Sequence, residues 1–586
     1  MEIGCYNMVT KEVTVLFIKS TKVKGYEYLK LVESYRENGV AKHRILFNIG
    51  RVDLLKQNES FLLSVKKLCE LTGIPVGNNE TGKKAAQEES EAAVYNYGYI
   101  AYKKLWEETG IGEILESLQN GCAKTEYSIP ETAFLMAVQH LLEPRSKLAT
   151  YERQNRYFNM NEIALHHMYR TLDKLSEWKT DIEWELFEYN YVRAKKTVDV
   201  VFYDVTTVSF ESVNADALRE FGYSKNCKFN EVQVVMGMII DINGMPVGYE
   251  LFQGNTFDGK TMTKALENIR KRFGIKRVII VADRGINSKD NLGMIKESGY
   301  GYIMAGKIRG MSRAMKNKML SGDGYIIVND DKNNEIFKYK EIPYINKYTD
   351  ANGEKRELEE NLIVSYSQNR ASKDRKDRER LIEKAKKLLE HPEKIDASNK
   401  RGGKKYIGRT NPEKTGTWEL LADKIEKDAE FDGYYGIQTS EKEMAATEVM
   451  EAYNTLWKIE ESFRILKSTL EIGPVYHWSP ERVRGHFVLC FLAFLLERKM
   501  EIMLKDEKDG TAASPGKIQE ALNTMQLASV QINGEDTYFK VKCDPLCTKI
   551  FKLLKINMPM NINKKDELAE LFNMGDKPDY IQLSLI

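Results

Sequence analysis

Two aspartates occupy positions where apolar sequence makes a carboxylate costly. Asp204 lies inside the run Val198-Asp-Val-Val-Phe-Tyr-Asp-Val-Thr-Thr-Val-Ser-Phe, and Asp283 follows Lys276-Arg-Val-Ile-Ile-Val-Ala. A carboxylate in or just after a buried strand needs a positive partner to replace its hydration. A divalent cation is one such partner and Arg284 is another; either Asp alone also reads as a cap on a turn or helix. The third candidate is Glu460, in Tyr453-Asn-Thr-Leu-Trp-Lys-Ile-Glu-Glu-Ser-Phe-Arg-Ile-Leu-Lys. At about 100° per residue, Tyr453, Trp457, Glu460, Arg464 and Lys467 share one helix face within about 80°, while Glu461 turns away from it. This aromatic, acidic and basic stripe reads as a solvated face with an i,i+4 Glu–Arg pair, or as a metal-binding Glu flanked by cations that hold phosphates.

These residues need strands and a helix to hold them. The run around Asp204 is rich in β-branched and aromatic residues, as a largely buried strand requires. Val232–Ile240 and Pro246–Phe252, joined across Asn243-Gly244, read as a hairpin. Residues 258–273 read as a helix, Lys276–Asp283 as a further buried strand, and 441–470 as one long helix. The fold class is therefore α/β. Residues 1–75 read as a β-hairpin/helix domain with its tight turn at Asn38-Gly39, 76–92 as a linker, and 93–196 as a helical domain. The strand-bearing core covers 197–310, a β-rich and basic insertion 311–440, the Glu460-bearing helix 441–500, and a helical C-terminal region 501–586. Within 93–196, Arg145, Lys147 and Arg153 cluster as candidate DNA contacts, although nothing there reads as a clear helix-turn-helix.

Composition narrows the function. The 586 residues exceed one domain, and 42% hydrophobic with 30% charged residues describes ordinary globular material. Lys+Arg 88 against Asp+Glu 86 leaves a net charge of +2, which excludes a uniformly basic DNA-coating protein. A local basic face remains possible: residues 369–409 hold 15 Lys+Arg and 7 Asp+Glu, reading either as a DNA-gripping arm or as a solvated basic helix. The apolar run Phe487–Leu496 is too short for the about 20 residues a bilayer needs, so it reads as a buried helix and no membrane partner is expected. No signal peptide is apparent, and seven scattered cysteines suit a reducing cytoplasm. Cys543 and Cys547, with no second pair nearby, read as ordinary thiols rather than a zinc site. No Gly-x-Gly-x-x-Gly or phosphate-loop motif supports nucleotide chemistry.

Asp204, Asp283 and the spacing Tyr453-x2-Leu456-x3-Glu460-x6-Lys467 resemble the DDE transposases of bacterial insertion sequences. The branch most similar carries a Tyr-x2-Arg-x3-Glu-x6-Lys signature and a β-rich insertion before the Glu. Tyr203-Asp-Val-Thr-Thr, Gly222-Tyr-Ser-Lys, Pro246-Val-Gly-Tyr-Glu, Gly254-Asn-Thr-Phe-Asp, Ala282-Asp-Arg-Gly and above all Trp457–Lys467 carry the likeness, strongest over 198–310 and 430–500. Leu456 stands where the signature has Arg. The resemblance implies an RNase H-like core in which Asp204, Asp283 and Glu460 bind two Mg²⁺ or Mn²⁺ ions. It implies cleavage of double-stranded DNA at the terminal inverted repeats of a mobile element and joining of 3′-hydroxyl ends to target DNA. Tyr453, Trp457, Arg464, Lys467, Arg284 and Lys225 would contact DNA, and a homodimer in a synaptic complex on prokaryotic nucleoid DNA is implied. The alternative is a domesticated DNA-binding or nuclease protein of the same fold without transposition. A haloacid-dehalogenase-type phosphatase also places Asp after an apolar strand, but Thr206 occupies the second position of its Asp-x-Asp pattern.

Overall fold

The computed structural model describes residues 15–572, apart from 38–39, 73–92, 123–124, 197, 211–214, 217, 222–230, 283–284, 286, 330–334, 351–352, 396–401, 410–416, 474, 506–512 and 533–534; of 257–278, only Thr261, Lys264, Glu267 and Phe273 are described. The chain forms two compact units. One comprises residues up to Asn190 together with those from Arg464 onward, and the other is Tyr191–Phe463.

The first unit opens on an antiparallel sheet of β1 (Val15–Val23), β2 (Tyr26–Glu37) and β3 (Val40–Arg51). Where the sequence predicts one hairpin, the structure has an additional turn at Lys24-Gly25. Both residues have positive φ, 47° and 83°. That is the geometry two-residue hairpin loops need, but Lys is not a residue that announces it. The Asn38-Gly39 turn lies outside the described residues. The helix Glu59–Thr72 follows, its start capped by Asn58 Oδ1, which accepts from Phe61 N at 3.1 Å.

The helical domain expected over 93–196 begins instead with strand β4 (Ala93–Asn96). Strand β4 pairs antiparallel with Gln526–Ile532, which in turn pairs with Glu535–Lys540, itself paired with Ile562–Lys564. The C-terminal region is therefore mixed rather than helical. Its strands complete a sheet with a segment more than four hundred positions earlier, which local pattern cannot reveal. Helices Ile100–Glu108, Ile129–Leu142 and Leu165–Glu177 pack around Pro480–Lys505, on which every residue from Phe487 to Leu496 is buried. The apolar run is thus a core helix, buried all round. A Cβ on Gly485 would lie 1.9 Å from the Leu172 carbonyl oxygen, so the glycine lets two helices touch at the backbone. Among the described residues, no helix is long and apolar enough to cross a membrane.

The second unit is built on β5 (Val200–Ser209), β6 (Gln233–Asp241), β7 (Pro246–Gln253), β8 (Ile279–Ala282) and β9 (Gly301–Ala305). Strands β5, β6 and β7 are successively antiparallel, whereas β8 runs parallel to both β5 and β9. Strands β10 (Ile326–Asn329), β11 (Glu335–Thr349) and β12 (Lys355–Tyr366) come next. They are followed by the small pair β13 (Ile407–Arg409) and β14 (Trp418–Leu420), and by β15 (Tyr434–Thr439). Strand β15 pairs with β9 on one side and β12 on the other, giving one nine-stranded sheet in the order β10-β11-β12-β15-β9-β8-β5-β6-β7.

All nine residues of β6 are buried, as befits a strand covered on both faces. Tyr203 is fully buried on β5, and a Cβ on Gly237 of β6 would come within 2.5 Å of its hydroxyl. On the other half of the sheet a buried carboxyl is shared by three neighbouring strands. Glu360 of β12 accepts from Tyr302 Oη of β9 and from Gln438 Nε2 of β15 at 2.6 Å. Gln438 Oε1 accepts from Asn287 Nδ2 at 3.2 Å, and that same nitrogen reaches Ala305 O at 2.7 Å. Burial pushes the Glu360 carboxyl up to about 7.

Two outcomes are expected. Gly237→Ala should destabilise the unit by about 1–3 kcal/mol through overpacking. Tyr203→Phe, which removes the clashing oxygen, should recover part of that loss in denaturant titrations. A group whose folded pKa is raised contributes stability that is full below its unfolded value and is lost as pH rises through the folded one. The Glu360 contribution should therefore fade from about 4.5 to about 7. Glu360→Gln should flatten the stability-versus-pH curve in that window.

Candidate active site

Strand β5, third from the β7 edge of the second unit's sheet, carries Asp204 opposite Met238 of β6. Its neighbours Tyr203 and Val205 are buried, as are Phe202 and Thr206 on its own face, while Asp204 itself is half-buried. Oδ1 accepts from the Val205 backbone N–H at 2.7 Å. In the parallel pairing of β5 with β8, Phe202 stands opposite Val281. Asp204 is two residues beyond the first and Asp283 two residues beyond the second. Asp283, Arg284 and Lys225 lie outside the described residues.

Glu460 is exposed in the first turn of the helix Trp457–Arg464. The single long helix expected over 441–470 is divided. Ala446–Asn454 ends before Thr455-Leu456, Trp457–Arg464 follows, and Ile465–Thr469 widens into a π-helical turn. At the break the backbone tightens to three-residue spacing: Leu456 N donates to Tyr453 O, Lys458 N to Thr455 O and Ile459 N to Leu456 O. Asn454 and Thr455 explain it, since both are poor interior helix formers. The Thr455 hydroxyl also bonds back to Glu451 O at 2.8 Å.

A uniform 100° advance across the break is therefore wrong, and Tyr453 is not on a continuous stripe with Glu460. Its hydroxyl instead accepts from Tyr435 Oη of β15 at 2.7 Å, and the Arg370 guanidinium lies 4.3 Å from the Tyr435 ring centroid. Neither Tyr435 nor Arg370 stands out as a site residue in the sequence, although the run Gly433-Tyr-Tyr-Gly is visible there. Trp457 is 50% exposed, which makes it a surface aromatic rather than a core one. Lys458 donates to Ile242 O at 2.7 Å, at the turn between β6 and β7. Leu456, at the signature's Arg position, is buried. Arg464 is exposed and Lys467 half-buried, and both are counted with the first unit. Of the turn residues after β7, Thr256 N donates to Gln253 O, and Asp258 is outside the described residues.

The basic stretch begins as the 22-residue helix Gln368–Leu389, capped by Ser367, whose side chain accepts from Arg370 N. Arg378 is ion-paired with Asp432. Lys373, Arg375, Lys376, Lys384, Lys386 and Lys387 lie along the same helix, most of them exposed. Of the expected cluster at Arg145, Lys147 and Arg153, the two arginines reach the surface and the lysine does not. Arg145 and Arg153, with Arg156, converge on Glu143, and Lys147 is buried. The helix Lys147–Arg153 starts at Lys147 behind the cap residue Ser146, and that entry sends the lysine inward.

A carboxylate on an interior strand and a second on a helix of the same unit offer hard oxygen donors, which suit divalent cations. A solved structure described as the cryo-EM structure of the piggyBac transposase synaptic complex with hairpin DNA aligns over 73% of this chain and 80% of that chain, at 10% identity and a TM-score of 0.34. No curated protein matches. Residues 16–73 match the N-terminal domain model of IS1634 family transposases. Residues 196–496, more than half of the chain, match the model of the transposase DDE domain, and the chain belongs to the DDE transposases of insertion sequences.

Proposed function

We propose that this chain cuts the terminal inverted repeats of its insertion sequence and joins the free 3′-hydroxyl ends to target DNA, and that it is of the branch marked by Tyr-x2-Arg-x3-Glu-x6-Lys. The carrying observation is the strand order β7-β6-β5-β8-β9, three antiparallel strands followed by two parallel to the first, with Asp204 on β5 and Asp283 directly after β8. That order supports an RNase H-like core. Asp204, Asp283 and Glu460 are the residues that would hold two Mg²⁺ or Mn²⁺ ions. Such ions, when bound, activate the attacking oxygen and neutralise charge on the leaving oxygen of an in-line displacement.

The remaining work falls to the chain itself. Arg464, Lys467, Lys225 and Arg284 supply positive charge for the phosphates on either side of the cut. Trp457, half-exposed on the Glu460 helix, offers a face on which an unpaired base can stack. Tyr453, tied to Tyr435, serves to hold the end of the preceding helix, Ala446–Asn454, against β15 rather than to reach DNA through a shared stripe. Because Leu456 is buried, no phosphate is met from the signature's Arg position, and Arg464 takes the larger share. The exposed cations of Gln368–Leu389 grip flanking DNA. Joining two ends calls for a homodimer on the paired ends, acting on prokaryotic nucleoid DNA in the cytoplasm.

Incubating the purified chain with a terminal-repeat duplex and Mg²⁺ should give cleaved and strand-transferred products. Asp204→Ala and Glu460→Gln should each lower that activity roughly a thousandfold or more while leaving end binding intact. Equal products from wild type and Asp204→Ala would refute the site, and end binding without any cleavage would favour a domesticated DNA-binding protein. Reversing Lys373, Lys376 and Lys384 to Glu should weaken DNA binding and flatten its salt dependence, by about 0.9 in the log–log slope for each phosphate no longer neutralised.

A further inference from the structure

Away from the carboxylates, the first unit contains a buried cluster that this reading leaves without a task. His140 lies near the end of the helix Ile129–Leu142, and His486 and Cys490 lie one turn apart on Pro480–Lys505. All three are buried, and their donor atoms lie within 4.8 Å of one another. Cys490 Sγ is 3.6 Å from His486 Nε2.

Each imidazole is held through one nitrogen by a backbone carbonyl. His140 Nδ1 is 3.1 Å from Leu470 O, and His486 Nε2 is 3.1 Å from Ile472 O. Metal-binding histidines are oriented in this way, with one N–H on a carbonyl and the other nitrogen presenting its lone pair. On His486, Nε2 faces both Ile472 O and Cys490 Sγ, while that second nitrogen, Nδ1, is buried and meets no hydrogen-bond partner. On His140 it is met by the Lys147 ammonium at 3.0 Å. Lys147 is itself buried, and burial draws its ammonium down to about 8.

We propose that His140, His486 and Cys490 form a binding site for one zinc-class divalent ion, with Lys147 occupying its place in the metal-free chain. Two imidazoles and one thiolate favour Zn²⁺ over Mg²⁺. The site is therefore selective against the ions that suit Asp204 and Glu460. His477, whose ring centroid is 5.4 Å from that of His486, offers the fourth ligand. Binding exchanges the Cys490 S–H bond for a sulfur–metal bond and releases the proton to solvent, while Lys147 withdraws from His140. The ion would tie together the helices Ile129–Leu142 and Pro480–Lys505.

The full-length chain, purified without chelator and dialysed against Mg²⁺ buffer, should retain about one equivalent of zinc, as a closed structural site does. Exchange with Co²⁺ should produce a thiolate-to-cobalt absorption band. An oxygen-only site at the carboxylates cannot give that band, so the result is independent of the proposed chemistry there. Cys490→Ser should lose the band, and Lys147→Met, which removes the competing ammonium, should tighten cobalt binding. Wild type that retains no zinc and shows no thiolate band would overturn the proposal and leave a lysine–histidine network. Should Cys490→Ser fold poorly, the wild-type metal content and the Lys147→Met affinity decide the matter.

Discussion

A carboxylate set on an interior strand of a largely buried sheet is the constraint around which the second unit is organised. Asp204 has buried neighbours on either side along β5 and stands opposite Met238 of β6. Desolvating such a group is tolerated only where one face stays open to a compensating charge. The half-buried state of Asp204 meets that condition while Tyr203, one residue earlier, fills the opposite face against Gly237. Parallel pairing sets β8 beside β5, and Asp283 is the next residue in sequence after β8. A rigid strand thus fixes the first carboxylate, with little freedom left to the backbone around it.

The same sheet handles a second buried carboxyl by the opposite means. Glu360 is closed off from solvent and surrounded by donors from Tyr302 and Gln438, and burial favours its neutral form, so it acts as a joint between three strands. Asp204 keeps an open side and Glu360 does not. That difference separates a group available for ligand chemistry from one used in construction, and it arises from environment rather than residue type.

Much of this is legible in the residues. The β-branched run around Asp204, the hairpin across Asn243-Gly244 and the ten-residue apolar run each carry a local signal strong enough to specify an element. Other features depend on partners that the sequence does not place side by side. The pairing of Ala93–Asn96 with Gln526–Ser529 joins distant segments, and the turn at Lys24-Gly25 uses a residue that ordinarily avoids positive φ. Lys147 resembles part of a basic surface because composition does not say which way a helix start faces. The division at Thr455-Leu456 is foreshadowed by two weak helix formers, but an acidic, basic and aromatic pattern on both sides conceals it. Of the candidate site, residue identities are legible, whereas the tie between Tyr453 and Tyr435 needs β15 in place.

Strand β15 has a consequence for how this protein can be shortened. The long segment between β9 and the Glu460 helix looks like a removable appendage, yet its last strand lies between β9 and β12. Excising it would bare the backbone of β9 along an apolar edge, and such edges recruit other chains. A minimal catalytic fragment made by that route would trade a paired strand for a self-associating one. Only the far border, at β10, is free to be trimmed or elaborated without opening the centre.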